Sequence, residues 1–127
     1  MNRFFNELVD THVKIENWLG QGKGDLEVLL SRFDRNFSMI SINGTKLDFL
    51  TLEAFFQNNC GAKDGLKIIM DKMEILAEWS QGALVSYVER QILPNNIESL
   101  RHSTVLLTLE GDEILWRHLH ETPASES

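Results

Sequence analysis

Cysteine is almost missing from this chain. Cys60 stands alone among 127 residues, which excludes an internal disulfide and fits a reducing, cytoplasmic setting. Cations are also few. Twelve Lys and Arg against 19 Asp and Glu leave a net charge of −7, and no basic run forms. A nucleic-acid-binding face needs a basic patch, so no nucleic-acid partner is expected. No apolar run approaches the ~20 residues that span a bilayer, so no membrane span is expected. The opening residues M-N-R-F-F-N-E-L-V-D carry acids early and lack the apolar stretch of a secretory signal. Gly20-x-Gly22-x-Gly24 lacks the G-x-G-x-x-G spacing and follows no strand, so it is no phosphate cradle. Cys60 falls at a predicted helix end with no histidine in pattern beside it, which argues against a nucleophile.

What is present is one domain's worth of patterned chain, 43% hydrophobic. Its predicted extent is residues 1–122, with 123–127 as a short flexible tail. Phe4, Phe5, Leu8, Val9, His12, Ile15, Trp18 and Leu19 recur at steps of three and four, the stripe of an amphipathic helix. The glycines at 20, 22 and 24 stop it. Asp25 caps a short second helix with Leu26, Leu29 and Leu30 on its apolar side. Residues 33–42 alternate as a strand that ends at the turn Asn43-Gly44. Asp48 caps a third helix whose buried side is Leu52, Phe55 and Phe56. Beyond Gly65 the period falls to two. Residues 66–79, 83–93, 99–110 and 113–121 read as four strands joined by short turns. Short turns require antiparallel neighbours, because parallel ones need a crossover of a dozen or more residues. The expected class is α+β, with three N-terminal helices packed on a curved, mostly antiparallel sheet.

The aromatic helix ending in Trp18-Leu19, the strand D-R-N-F-S-M-I and the helix D-F-L-T-L-E-A-F-F resemble the NTF2-like superfamily. So do the strand A-L-V-S-Y-V-E and the last pair, R-H-S-T-V-L-L with W-R-H-L-H-E-T. The likeness runs from about Phe4 to Thr122 and is greatest to its SnoaL-like and DUF4440-type bacterial members. It implies a cone-shaped, cystatin-like fold with a pocket between sheet and helices. It implies no single reaction, since that superfamily includes enzymes, binding modules and members without known activity. Asp34 resembles the family's strand-opening acid, and no catalytic role is carried onto it.

The resemblance turns three strand rows toward the pocket. They are Ala83, Val85, Tyr87, Glu89 and Gln91; Arg101, Ser103, Val105, Leu107 and Leu109; and Trp116, His118, His120 and Thr122. Strict alternation groups each row. The predicted ligand-pocket residues are Tyr87, Glu89, Arg101, Ser103, Trp116, His118 and His120. Convergent polar groups over an apolar floor describe a small-molecule site. Glu89 and Arg101 on adjacent strands read either as a cross-strand ion pair or as a proton acceptor beside an anion-binding guanidinium. His118 and His120 sit at the spacing of a metal pair, but a third ligand other than Glu89 is lacking, so no metal and no cofactor are expected. His12 lies on the face of the first helix that can form the pocket's helical wall, and it reads first as a core histidine with a hydrogen-bond partner. The outward rows, Leu84, Val88, His102, Thr104, Leu106, Thr108, Leu115 and Leu119, are too apolar for a solvated face. They predict a homodimer through the outer sheet. Two functional readings therefore compete. One is a cavity that binds a small, partly apolar molecule, with or without isomerase- or dehydratase-type chemistry by its His and Glu. The other is a dimeric interaction domain whose cavity is closed by its own aromatics, Trp18, Phe55, Phe56 and Trp116.

Overall fold

The computed structural model of the protein describes residues 2–125. In chain order it contains α1 (Arg3–Gln21), α2 (Leu26–Leu30), β1 (Phe33–Ile40), β2 (Lys46–Asp48), α3 (Phe49–Asn58), β3 (Lys67–Trp79), β4 (Gly82–Leu93), a 3-10 turn (Pro94–Asn96), β5 (Ile97–Glu110) and β6 (Glu113–Pro123). The class is α+β, as the change of period implied. Local chemistry starts and stops the helices. Asn2 accepts from the Phe4 N–H, and Gly22 closes α1 in the left-handed conformation that suits glycine. Asp25 accepts from the Glu27 and Val28 N–H groups, and Asp48 accepts from that of Thr51.

One six-stranded sheet runs in the order β2-β1-β6-β5-β4-β3. The last four strands form the antiparallel meander that their short turns demand. β1 lies parallel to β6, which is possible because α3 and four strands intervene in the chain. β2 was absent from the sequence reading; three residues after Asn43-Gly44 fold back onto β1. Register shifts in β1, β3 and β6 bend the sheet. Its inner face carries Ala83, Val85, Tyr87, Val105, Leu107 and Trp116, all buried.

Side-chain hydrogen bonds tie the long helix to the sheet. The Trp116 Nε1–H donates to Glu7 Oε2 at 3.2 Å, and Arg32 holds Glu7 Oε1 at 2.6 Å. The Trp18 Nε1–H donates to the Phe56 carbonyl at 2.8 Å, which joins α1 to α3.

Three expectations need correction. Phe55 is not on the buried side of α3; it is 39% exposed, and Phe49 is buried with Leu52 and Phe56 instead. Pro123 is not in a free tail but ends β6, and the Ala124 N–H donates to the Leu100 carbonyl at 2.9 Å. Residues 126 and 127 of the expected tail lie outside the described residues. The third correction concerns β6. Leu107 faces Trp116 and Leu106 faces His118, so Arg117 is an extra residue, a β-bulge. Beyond it every side chain changes face. Leu119 and Glu121 turn inward and are buried, while His118, His120 and Thr122 turn outward beside Leu84, His102, Thr104 and Leu106.

Candidate functional site

A cavity of about 300 Å³ opens between the inner face of the sheet and helices α1 and α3. Its wall is largely apolar: Ile15, Leu19, Phe33, Phe37, Met39, Leu52, Trp116 and Leu119. The helical stripe supplies the first two, and alternation along β1 supplies Phe33, Phe37 and Met39. One end is charged. There His12 from α1, Glu89 and Gln91 from β4, Arg101 from β5 and Glu121 from β6 line the same space. Lys63, from the connection before β3, lines it too.

His12 and Glu89 form a buried pair, 77 residues apart in sequence, with Nε2 and Oε1 at 3.0 Å. The other ring nitrogen, Nδ1, lies 2.8 Å from the Leu8 carbonyl. A carbonyl only accepts, so Nδ1 carries a proton. Nε2–H donates to Glu89 once the ring is an imidazolium. Burial opposes charge on both groups. For His12 the facing Glu89 carboxylate wins, and its pKa is raised above 6.5. For Glu89 the attraction of His12, with hydrogen bonds from His12 and Gln91, brings the pKa down to about 2 despite burial. The Gln91 Nε2–H donates to Glu89 Oε2 at 2.7 Å, so both carboxylate oxygens are occupied. The pair is a locked, charged element.

Arg101 and Glu121 are looser. Their contact is 3.4 Å long, although the side chains are only 11% and 8% exposed. Arg101 Nη2–H also donates to Ser99 Oγ at 2.7 Å. Its Nε–H is buried without an acceptor, as are the hydroxyls of Tyr87 and Ser103. Tyr87 and Ser103 face one another across β4 and β5, one inward step from the pair Glu89 and Arg101. Burial raises the Glu121 pKa, and the nearby Glu89 carboxylate raises it further. Burial likewise pushes the Tyr87 hydroxyl well above its usual range, so it stays neutral.

A solved NTF-2 like protein of unknown function from Pseudomonas aeruginosa is 34% identical to this chain, with a TM-score of 0.91 over 96% of this chain and 98% of that one. The chain belongs to the NTF2-like superfamily. Two more distant structures show the same fold. One, an NTF2-like protein from Cytophaga hutchinsonii, is 14% identical at a TM-score of 0.73, covering 98% of this chain and all of that one. The other is the association domain of C. elegans CaMKII, 12% identical at 0.73, covering 94% and 93%. No family sequence model matches the chain, and no curated protein matches it.

Within this NTF2-like cone the structure separates the residues that alternation had grouped. Glu89, Arg101 and Trp116 line the cavity. Tyr87 and Ser103 share the inner face but are packed beneath the charged end rather than lining it. His118 and His120 lie on the outer face, where Ser38 Oγ meets His118 Nδ1 at 2.7 Å, so they are not pocket residues. Partial burial, His120 and Arg117 lower the His118 pKa. Glu89 and Arg101 stand opposite in register, yet each bonds elsewhere: Glu89 to His12, Arg101 to Glu121.

His12 is the buried, hydrogen-bonded histidine that the helical stripe implies, and it also lines the cavity; what the sequence does not show is its partner, Glu89. Strict alternation puts Glu121 on the wrong face. A signal for Glu121 existed: Trp116 and Leu119 are large apolar residues three apart in a strand, and both can face inward only if one residue between them is a bulge.

Proposed function

We propose that the NTF2-like cavity binds a small, partly apolar molecule whose polar group meets the charged end at Arg101 and Glu121. One observation carries this reading: three buried ionisable groups, His12, Glu89 and Glu121, and the largely covered Arg101 stand beside an open apolar cavity rather than packed shut. Burying such groups without full pairing is costly, and a site that recognises a ligand is where proteins tolerate it. The competing picture, a cavity sealed by Trp18, Phe55, Phe56 and Trp116, is not supported. Phe55, Phe56 and Trp116 are wall residues around an open space of about 300 Å³.

Native mass spectrometry of freshly purified protein tests the reading. The expected result is an additional mass of one small molecule per chain, lost in Leu119→Trp, which fills the cavity. A parent with no bound mass, together with failure of apolar dyes to bind saturably, overturns it.

The outer face supports a second role, pairing with another copy of this chain. The half-buried Leu84 and Leu106, with Thr104, His118 and exposed His102 and His120, form a shallow outer depression that none of the described residues covers. A two-fold partner presents the same patch, which suits a self-complementary apolar surface. One solved structure of similar fold is named as an association domain, that of C. elegans CaMKII.

A further inference from the structure

We infer that the ligand is a small monocarboxylate, gripped by the side-on edge of Arg101 and bound together with one proton that Glu121 takes up. This rests on the reading of the cavity as a ligand site and names the chemistry of its occupant.

The cavity's polar end has little free capacity, and its location is specific. Glu89 is largely committed, because each of its oxygens already accepts a hydrogen bond, one from His12 and one from Gln91. His12 is closed as well, with Nδ1 on Leu8 and Nε2 on Glu89. The open capacity is on Arg101. Its Nε–H has no acceptor, and its bond to Glu121 is long. Nε–H and an adjoining Nη–H form a fork that matches the two oxygens of a carboxylate. An amine or other cation meets repulsion from Arg101 and Lys63, and the two carboxylates it could use are already committed, Glu89 to His12 and Gln91 and Glu121 to Arg101. A dianion such as phosphate meets two buried carboxylates, Glu89 and Glu121. A monoanion attached to an apolar body fits both the charged end and the aromatic and aliphatic wall.

Glu121 supplies the proton linkage. It is buried on β6 against Arg101 of β5, with Glu89 and Tyr87 of β4 and His12 of α1 around it, and Lys63 lines the same cavity. It accepts from Arg101 Nη1 at 3.4 Å, a long contact. A ligand carboxylate on Arg101 places a second anion beside Glu121 and competes for its counter-charge. Two carboxylates at one guanidinium cannot both stay ionised cheaply, so Glu121 protonates. Its pKa is already raised by burial and by Glu89, which makes that step easier. Protonated Glu121 then becomes a donor to the ligand instead of a rival. No bond other than the O–H of Glu121 forms, and the proton comes from solvent.

The test is calorimetric titration of the purified full chain with phenylacetate, phenylacetamide and 2-phenylethylamine, which share one apolar body and differ in charge. Phenylacetate should bind at least about tenfold more tightly than the other two, the range of a hydrogen bond to a charged group. Its affinity should fall as pH rises from about 5.5 to about 8, with close to one proton taken up on binding, read from the dependence of the heat on buffer ionisation. Glu121→Gln, a neutral isostere of the protonated acid, should remove the pH dependence and tighten phenylacetate binding about tenfold at the alkaline end. Arg101→Gln should bring phenylacetate down to the level of the amide while leaving amide binding intact, which also shows that the variant is folded. Equal binding of acid and amide, or binding without proton uptake, overturns the carboxylate while the cavity reading stands. If none of the three binds but an uncharged or basic molecule co-purifies, the same division holds. If nothing binds and nothing co-purifies, both readings fall.

Discussion

His12 and Glu89 show how a single contact can set the pH range of a fold. Removing one partner leaves the other buried and uncompensated, a change that costs about 3–5 kcal/mol. Glu89→Leu should therefore lower stability by that order in urea unfolding. The double variant His12→Phe with Glu89→Leu should lose much less than the sum of the two single changes. Additive losses would show that the pair is not coupled. Titration gives a second expectation. Glu89 has its folded pKa lowered from 4.5 to about 2, so its contribution is present above pH 4.5 and is lost as pH falls toward 2. His12 has its folded pKa raised from 6.5, so the contribution of the same pair is complete below pH 6.5 and is lost as pH rises through the folded value. Glu121, raised from 4.5, adds to the decline on the alkaline side. Stability should thus be greatest between pH 4.5 and 6.5. A midpoint that climbs steadily to pH 8 would contradict this assignment. His12 was legible as a helix-stripe residue, but nothing local in α1 announces a partner 77 residues away.

At the scale of elements, most boundaries could be read from chemistry that acts over a few residues. Asp25 and Asp48 cap helices where their side chains reach nearby N–H groups, and turns with glycine or asparagine separate the long strands. Two features depended on the neighbouring strand. β2 is only three residues, stabilised by pairing with β1 rather than by its own pattern. The bulge at Arg117 is set by how β6 meets β5, and a clean alternation of types in W-R-H-L-H-E-T conceals it. Gly82, at the start of β4, shows the same dependence on a neighbour. A Cβ there would stand 2.2 Å from the Leu107 carbonyl oxygen, a backbone atom that cannot move aside alone. Gly82→Ala should destabilise the protein by about 2–3 kcal/mol, within the range for forced overpacking. A denaturation midpoint equivalent to the parent's would mean that β4 and β5 part more easily than their register implies.

For the whole molecule, the outer face of the sheet offers an apolar patch, Leu84 with Leu106, that a second copy can cover. Sedimentation velocity should find a dimer at micromolar concentration. Leu106→Lys should find a monomer with an unchanged circular dichroism spectrum, because a charge at a dry contact costs several kcal/mol while a half-exposed site tolerates it in the single chain. A monomeric parent, or a variant that stays dimeric, removes the outer face as an interface. The three outward histidines, His102, His118 and His120, would lie in that contact rather than in a catalytic site.

The sequence by itself determined the α+β class, the helix caps, the antiparallel meander and the apolar floor of the cavity. These follow from periodicity and turn chemistry, which act within a few residues. Only the tertiary structure decided that His12 and Glu121 belong to the charged end and that His118 and His120 do not. The first depends on a helix docking its face onto a distant strand. The second depends on one inserted residue, and because side chains alternate with period two, that single residue reverses every side chain after it.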